Sequence, residues 1–126
     1  MKFNTVAWFE FGADQPQKVK NFYKEMFGWE YKQNTDLEGV EYDGILTPAA
    51  PVPTGGVLGT AGKIEEYATF YVLVEDVPAA IEKAKENGGE VIWGPVTDAS
   101  NVSFARLKDN TGHQFGVFSA PGIGEY

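Results

Sequence analysis

Residues 14–28, DQPQKVKNFYKEMFG, decide how the rest of the chain is read. Asp14 is a capping-type residue, and Pro16 is tolerated in the first turn of a helix because its missing N–H has no intrahelical partner there. Val19, Phe22, Tyr23, Met26 and Phe27 then recur at the i, i+3, i+4, i+7, i+8 spacing of one helical face. Gly28 stands where a helix stop takes left-handed backbone. The spacing predicts a helix over about 16–27. Residues 76–89, DVPAAIEKAKENGG, repeat the device: an Asp-x-Pro start, an inward stripe of Val77, Ala80, Ile81 and Ala84, and a Gly88–Gly89 stop. A second helix is expected over about 77–87.

Outward from each helix the period changes from 3.6 to 2. Residues 3–11 alternate, with Phe3, Thr5, Ala7, Phe9 and Phe11 on one face and Asn4, Val6, Trp8 and Glu10 on the other, which is a strand pattern. After the first helix, strands are expected at 29–35, 40–47 and 55–60, the last two parted by Pro48, Pro51 and Pro53. After a strand at 67–74 and the second helix come strands at 90–93, 102–107 and 113–119, with Asp109-Asn110-Thr111-Gly112 as a hairpin-type turn. Both halves read strand, helix, strand, strand, strand. The order of all ten elements indicates duplication: one α+β domain, 1–126, made of two βαβββ modules at about 3–60 and 67–119.

Composition narrows the function classes. A length of 126 residues gives one domain, and 43% hydrophobic with 22% charged residues is ordinary for a folded protein. The absence of cysteine removes disulfide scaffolds, zinc–cysteine sites, iron–sulfur clusters and cysteine nucleophiles, and the single histidine, His113, removes multi-histidine metal sites. Ten Lys+Arg against eighteen Asp+Glu leave a net charge of -8, so nucleic acid is not an expected partner. The apolar run that contains Tyr71-Val72-Leu73-Val74 is far below the ~20 residues of a membrane helix. The N-terminus lacks the apolar region of a signal peptide, so a soluble cytoplasmic protein is expected.

Particular residues carry a family resemblance. Trp8-Phe9-Glu10, Phe22-Tyr23 and Phe27-Gly28-Trp29 in the first half resemble the vicinal oxygen chelate superfamily, which includes glyoxalase I, bleomycin-resistance proteins and extradiol dioxygenases. Val74-Glu75-Asp76-Val77, Ala79-Ala80-Ile81, Gly88-Gly89, Gly94-Pro95 and Lys108-Asp109-Asn110-Thr111-Gly112 extend the resemblance through the second half. The resemblance implies two modules that curl a mixed sheet into a cup with a small-molecule site inside, usually completed in a homodimer. The loop with Pro48, Pro51 and Pro53 and the tail 121–126 are the expected contributors to that dimer.

Enzymes of the superfamily hold a divalent metal with four His, Glu or Gln side chains, two from the first strands of the modules and two from the last. The matching positions here are Trp8, Thr69, Gly116 and one residue within 54–60, a stretch without acid, amide or histidine. A hard divalent ion needs several oxygen or nitrogen donors in one place, and Glu10 would stand alone. No metal and no cofactor are expected. His113, just after Gly112, reads as a surface turn residue.

Strand parity places Phe9, Phe11, Phe70, Val72, Val74, Phe115 and Val117 beneath the helices. It turns Trp8, Glu10, Thr69, Tyr71, Gln114, Gly116 and Phe118 to the concave side, an aromatic wall with a few polar groups. Gly116 is expected to leave room for a ligand; alternatively, Trp8 and Tyr71 fill the cup themselves. The expected function is metal-free binding of a small aromatic or cationic molecule through Trp8, Glu10, Thr69, Tyr71, Gln114 and Arg106. Arg106 is a candidate partner for Glu10 or for an anionic substrate. The alternative is a metal-independent lyase or isomerase with Glu10 as general base and Tyr71 as acid. Nothing favours a purely structural interaction module.

Overall fold

The two Asp-x-Pro signals both open helices, but through different chemistry. The computed structural model describes every residue from Met1 to Tyr126, with helix α1 at Pro16–Phe27 and helix α2 at Val77–Glu86. Asp76 is the N-cap of α2, its Oδ1 accepting the Ala79 N–H at 2.9 Å. At α1 the N-cap is Gln15, which makes no side-chain cap. Asp14, expected to cap, turns instead to the loop after residue 59, where its Oδ1 accepts from the Thr60 hydroxyl and, at 3.0 Å, from the Gly62 N–H. Gly28 ends α1 with φ 71°, its N–H reaching the Lys24 carbonyl at 2.8 Å.

Strands complete the α+β pattern of two βαβββ modules. They are β1 (Thr5–Ala13), β2 (Glu30–Gln33), β3 (Tyr42–Leu46) and β4 (Gly55–Gly59), then β5 (Tyr67–Leu73), β6 (Glu90–Thr97), β7 (Ser103–Lys108) and β8 (Gln114–Ser119). The chain divides into two units, 8–68 and 1–7 with 69–126, the divisions falling inside β1 and β5.

In the first of these units the strand order is β2-β3-β4-β1, with β1 and β4 parallel and the other pairs antiparallel. One sheet face packs on α1: Ala13, Ile45 and Val57 are buried, with Phe9, Phe11, Val19, Trp29 and Tyr31 against them. Tyr23 stacks on Trp29 at 5.0 Å and lies 5.1 Å from Phe11, so the aromatic stripe of α1 is its anchor. Lys20 adds a sheltered ion pair with Asp43 at 2.9 Å. Phe22, Met26 and Phe27 nevertheless remain more than half exposed, because a single sheet face meets only one side of the helix.

In the other unit the order is β5-β8-β7-β6, with β5 and β8 parallel and the rest antiparallel. Val77 and Ile81 of α2 enter a core with Val74, Ala105, Leu107 and Val117. Phe70 departs from its expected place beneath a helix. It is 44% exposed and stacks on Phe115, outside the buried cluster that α2 covers. Strand β6 runs on to Thr97, past the expected stop at Trp93, because it lies at the end of this order, where a proline removes no needed ladder bond. Strand β1 starts at Thr5, not Phe3: Asn4 takes left-handed backbone (φ 69°), and Phe3 N–H bonds the Glu125 carbonyl at 2.8 Å. The tail is thereby tied to the N-terminus, with the Phe3 and Tyr126 rings 4.9 Å apart.

Candidate functional site

Glu10 stands on β1, on the face turned away from α1, and it is 7% exposed. Carboxylates are rarely buried without partners. Two phenols are among its partners. The Tyr42 hydroxyl donates to Oε1 at 2.7 Å and the Tyr67 hydroxyl donates to Oε2 at 2.6 Å. Trp8 Nε1 in turn donates to the Tyr42 hydroxyl at 3.0 Å. An indole N–H can only donate, and both phenol hydroxyls donate to the carboxyl oxygens. The result is a directed chain, Trp8 to Tyr42 to Glu10, with Tyr67 closing on the second oxygen.

Register explains the convergence. Gly44, Gly56 and Glu10 form one row across β3, β4 and β1, and Tyr42, Leu58 and Gly12 form the next row on the same face. The Tyr42 ring leans diagonally across Gly56 to reach Glu10, and the Tyr67 ring lies over Gly12. Tyr42 and Tyr67 were not among the expected site residues. A weak signal for them existed in the Gly-rich strand 55–59, since glycine inside a strand marks close approach of another group.

The remaining expected residues lie in the unit that contains α2. Tyr71, Gly116, Arg106 and Trp93 form one row across β5, β8, β7 and β6. Tyr71 is 3% exposed, and its ring fills the space over Gly116. The expected opening at Gly116 is therefore corrected: the room belongs to the Tyr71 ring. Arg106 is 5% exposed, its guanidinium 5.7 Å from the centre of the Trp93 ring and its Nη1 3.5 Å from Gln114 Oε1. The Thr69 hydroxyl donates to the Gln114 carbonyl at 2.8 Å. His113 sits at the surface, as its position suggests, with Nδ1 2.9 Å from the Thr111 hydroxyl.

The donor set does not fit a divalent ion. Of the four positions where the resemblance places ligands, Trp8 offers an indole, Thr69 a hydroxyl already donating to a backbone carbonyl, and Gly116 only space taken by Tyr71. Residues 54–60 offer only threonine hydroxyls, and that of Thr60 is spent on Asp14. No three His, Cys, Asp or Glu side chains gather anywhere to hold a metal. A separate recess of about 370 Å³ lies between Gly28, Glu30, Leu46, Thr47, Pro48, Ala50 and Pro51. Glu30 and Thr47 supply the polar side chains of its lining. No helix is long and apolar enough to cross a membrane.

Comparison with known proteins agrees with this geometry at the level of the fold. Residues 5–117 match the family model described as Glyoxalase/Bleomycin resistance protein/Dioxygenase superfamily. A glyoxylase-like domain-containing protein of Didymella fabae is 25% identical over 121 residues, covering 93% of this chain and 94% of the relative. A Mycobacterium bovis protein whose name also carries the word glyoxylase is 28% identical over 125 residues, covering 92% of this chain but 46% of the relative. The chain thus spans about half the length of that mycobacterial relative. Among solved structures, methylmalonyl-CoA epimerase of Streptomyces coelicolor, in complex with 2-nitronate-propionyl-CoA, superposes with a TM-score of 0.64 at 14% identity, covering 99% of this chain and 100% of the other. A hypothetical protein of Bacillus halodurans gives 0.67 at 17% identity, covering 97% and 98%.

Proposed function

The chain belongs to the glyoxalase/bleomycin resistance protein/dioxygenase superfamily, and from that membership we propose that it binds a small aromatic or cationic molecule, without a metal, at the face built around Glu10. One observation carries the reading. A buried carboxyl group accepts from the Tyr42 and Tyr67 hydroxyls, with Trp8 bonded to Tyr42, so flat aromatic surfaces stand beside an acidic group. An overall charge of -8 favours the approach of a cation over that of an anion. Within the unit that contains α2, Thr69, Tyr71, Gln114 and Arg106 are proposed as ligand-binding residues. The competing reading, Glu10 as general base with Tyr71 as acid, is the weaker one. Each carboxylate oxygen already accepts a phenol hydroxyl, which lowers its basicity, and Tyr71 is buried against Gly116.

Calorimetric titration with benzamidine and with phenyltrimethylammonium, benzoate serving as the anionic control, tests the proposal. Binding of a cation that weakens several-fold in Trp8→Ala is the expected result. Equal or tighter binding of benzoate, or no response from any of the three, overturns it. Elemental analysis of dialysed protein should give well under one divalent ion per chain. A homodimer is proposed as the working unit; a monomer by light scattering at high micromolar concentration overturns that part alone.

A further inference from the structure

We propose that Gly12 and Gly56 are positioning residues of the Glu10 site: each lacks a side chain so that a tyrosine ring can lie on the strand and place its hydroxyl on the carboxylate. The proposal rests on the reading of Glu10 as the site, and it adds residues that touch neither the carboxylate nor a ligand. Neither glycine has a positive φ, so the backbone does not require glycine at either position. Glycine inside a strand weakens it, and an L side chain would suit the pleat better. What forbids one is space. A Cβ on Gly56 would overlap the hydroxyl and ring of Tyr42, and a Cβ on Gly12 would overlap the ring of Tyr67. These are the two rings whose hydroxyls hold Glu10. The other unit repeats the arrangement, with Gly116 beneath the ring of its register partner Tyr71.

The neighbouring residue supplies an internal control. Gly55 also has no positive φ and also lies under a ring, but the ring is that of Phe9, on the face packed against α1. Gly55→Ala and Gly56→Ala therefore disturb the same strand on opposite faces. The reporter is the indole N–H resonance of Trp8, which reads the Tyr42 hydroxyl directly and needs no ligand.

Gly56→Ala should shift that resonance and speed its hydrogen exchange, and Tyr42→Phe, which removes the hydroxyl without crowding the strand, should shift it in the same way. Gly55→Ala should lower the melting temperature while leaving the resonance in place. Affinity for benzamidine should fall about tenfold or more in Gly56→Ala, the loss expected when a charge-assisted hydrogen-bond arrangement is broken. If Gly56→Ala does not fold, the pair Tyr42→Ala and Tyr42→Ala/Gly56→Ala decides: with the ring gone, the added methyl should cost little further stability. An unmoved Trp8 resonance in a folded Gly56→Ala protein overturns the proposal, as does a Gly56→Ala cost that persists undiminished in the Tyr42→Ala background. Should benzamidine not bind the wild type while the resonance behaves as expected, the ligand reading fails and the positioning role stands.

Discussion

Glu10, Tyr42 and Tyr67 act as a unit, and the consequences of breaking it are asymmetric. Removing one hydroxyl leaves a buried carboxylate oxygen short of a donor, and hydrogen bonds to charged groups contribute about 1.5–3 kcal/mol each. Tyr67→Phe should therefore cost about 2 kcal/mol by urea denaturation, and an unchanged midpoint would show that water replaces the hydroxyl. Asp109 offers a second residue-scale test. The backbone N–H groups of Thr111 and His113 hold its carboxyl at about 2, below the ordinary 3.8, because they bond the charged form. A folded-state value below the unfolded one means that the contribution to stability is complete above the ordinary carboxylate range. It declines as the pH falls and is gone once the pH passes below about 2. An NMR titration of the Asp109 carboxyl carbon with a midpoint near 4 would contradict this.

At the scale of elements, the two helices share a sequence signal and differ in what it does. Asp76 caps α2 directly, so Asp76→Ala should cost about 1 kcal/mol and reduce amide protection in the first turn of that helix. Asp14→Ala should leave the first turn of α1 unchanged and instead expose the Gly62 amide to exchange, since that N–H bonds the Asp14 carboxylate. Exchange mass spectrometry of the two variants separates the roles. Loss of protection at residues 17–19 in Asp14→Ala would restore the capping role expected from the Asp-x-Pro spacing. The strands show a parallel division, since β4 spends Gly55 on the packed face and Gly56 on the site face.

Across the whole molecule, each unit carries its own small core, and large-to-small changes should be felt in both. Ile45 and Leu107 are essentially inaccessible to water, one in each cluster. Ile45→Ala and Leu107→Ala should each cost about 2–5 kcal/mol, the transfer of the lost methyls plus the cavity left behind. Denaturant unfolding checks both. A cost below 1 kcal/mol for either would mean that its unit collapses around the cavity. A fold hosts many unrelated activities, so membership in the family constrains the architecture of this chain and not its chemistry.

Sequence alone determined the ten elements and their duplicated order, because helical stripes, period-2 alternation and glycine stops are local properties written in consecutive residues. The parity of β1 was equally legible, and it put Trp8 and Glu10 together on the face away from α1. Tertiary structure decided the partners. Tyr42 lies 32 residues and Tyr67 57 residues from Glu10, and no local pattern states which ring crosses which glycine. It also decided that Gly116 shelters the Tyr71 ring and that Asp14 leaves its helix for a loop 46 residues away. Register between strands fixes each of these outcomes, and register is set by the simultaneous packing of both sheet faces, which no single segment encodes.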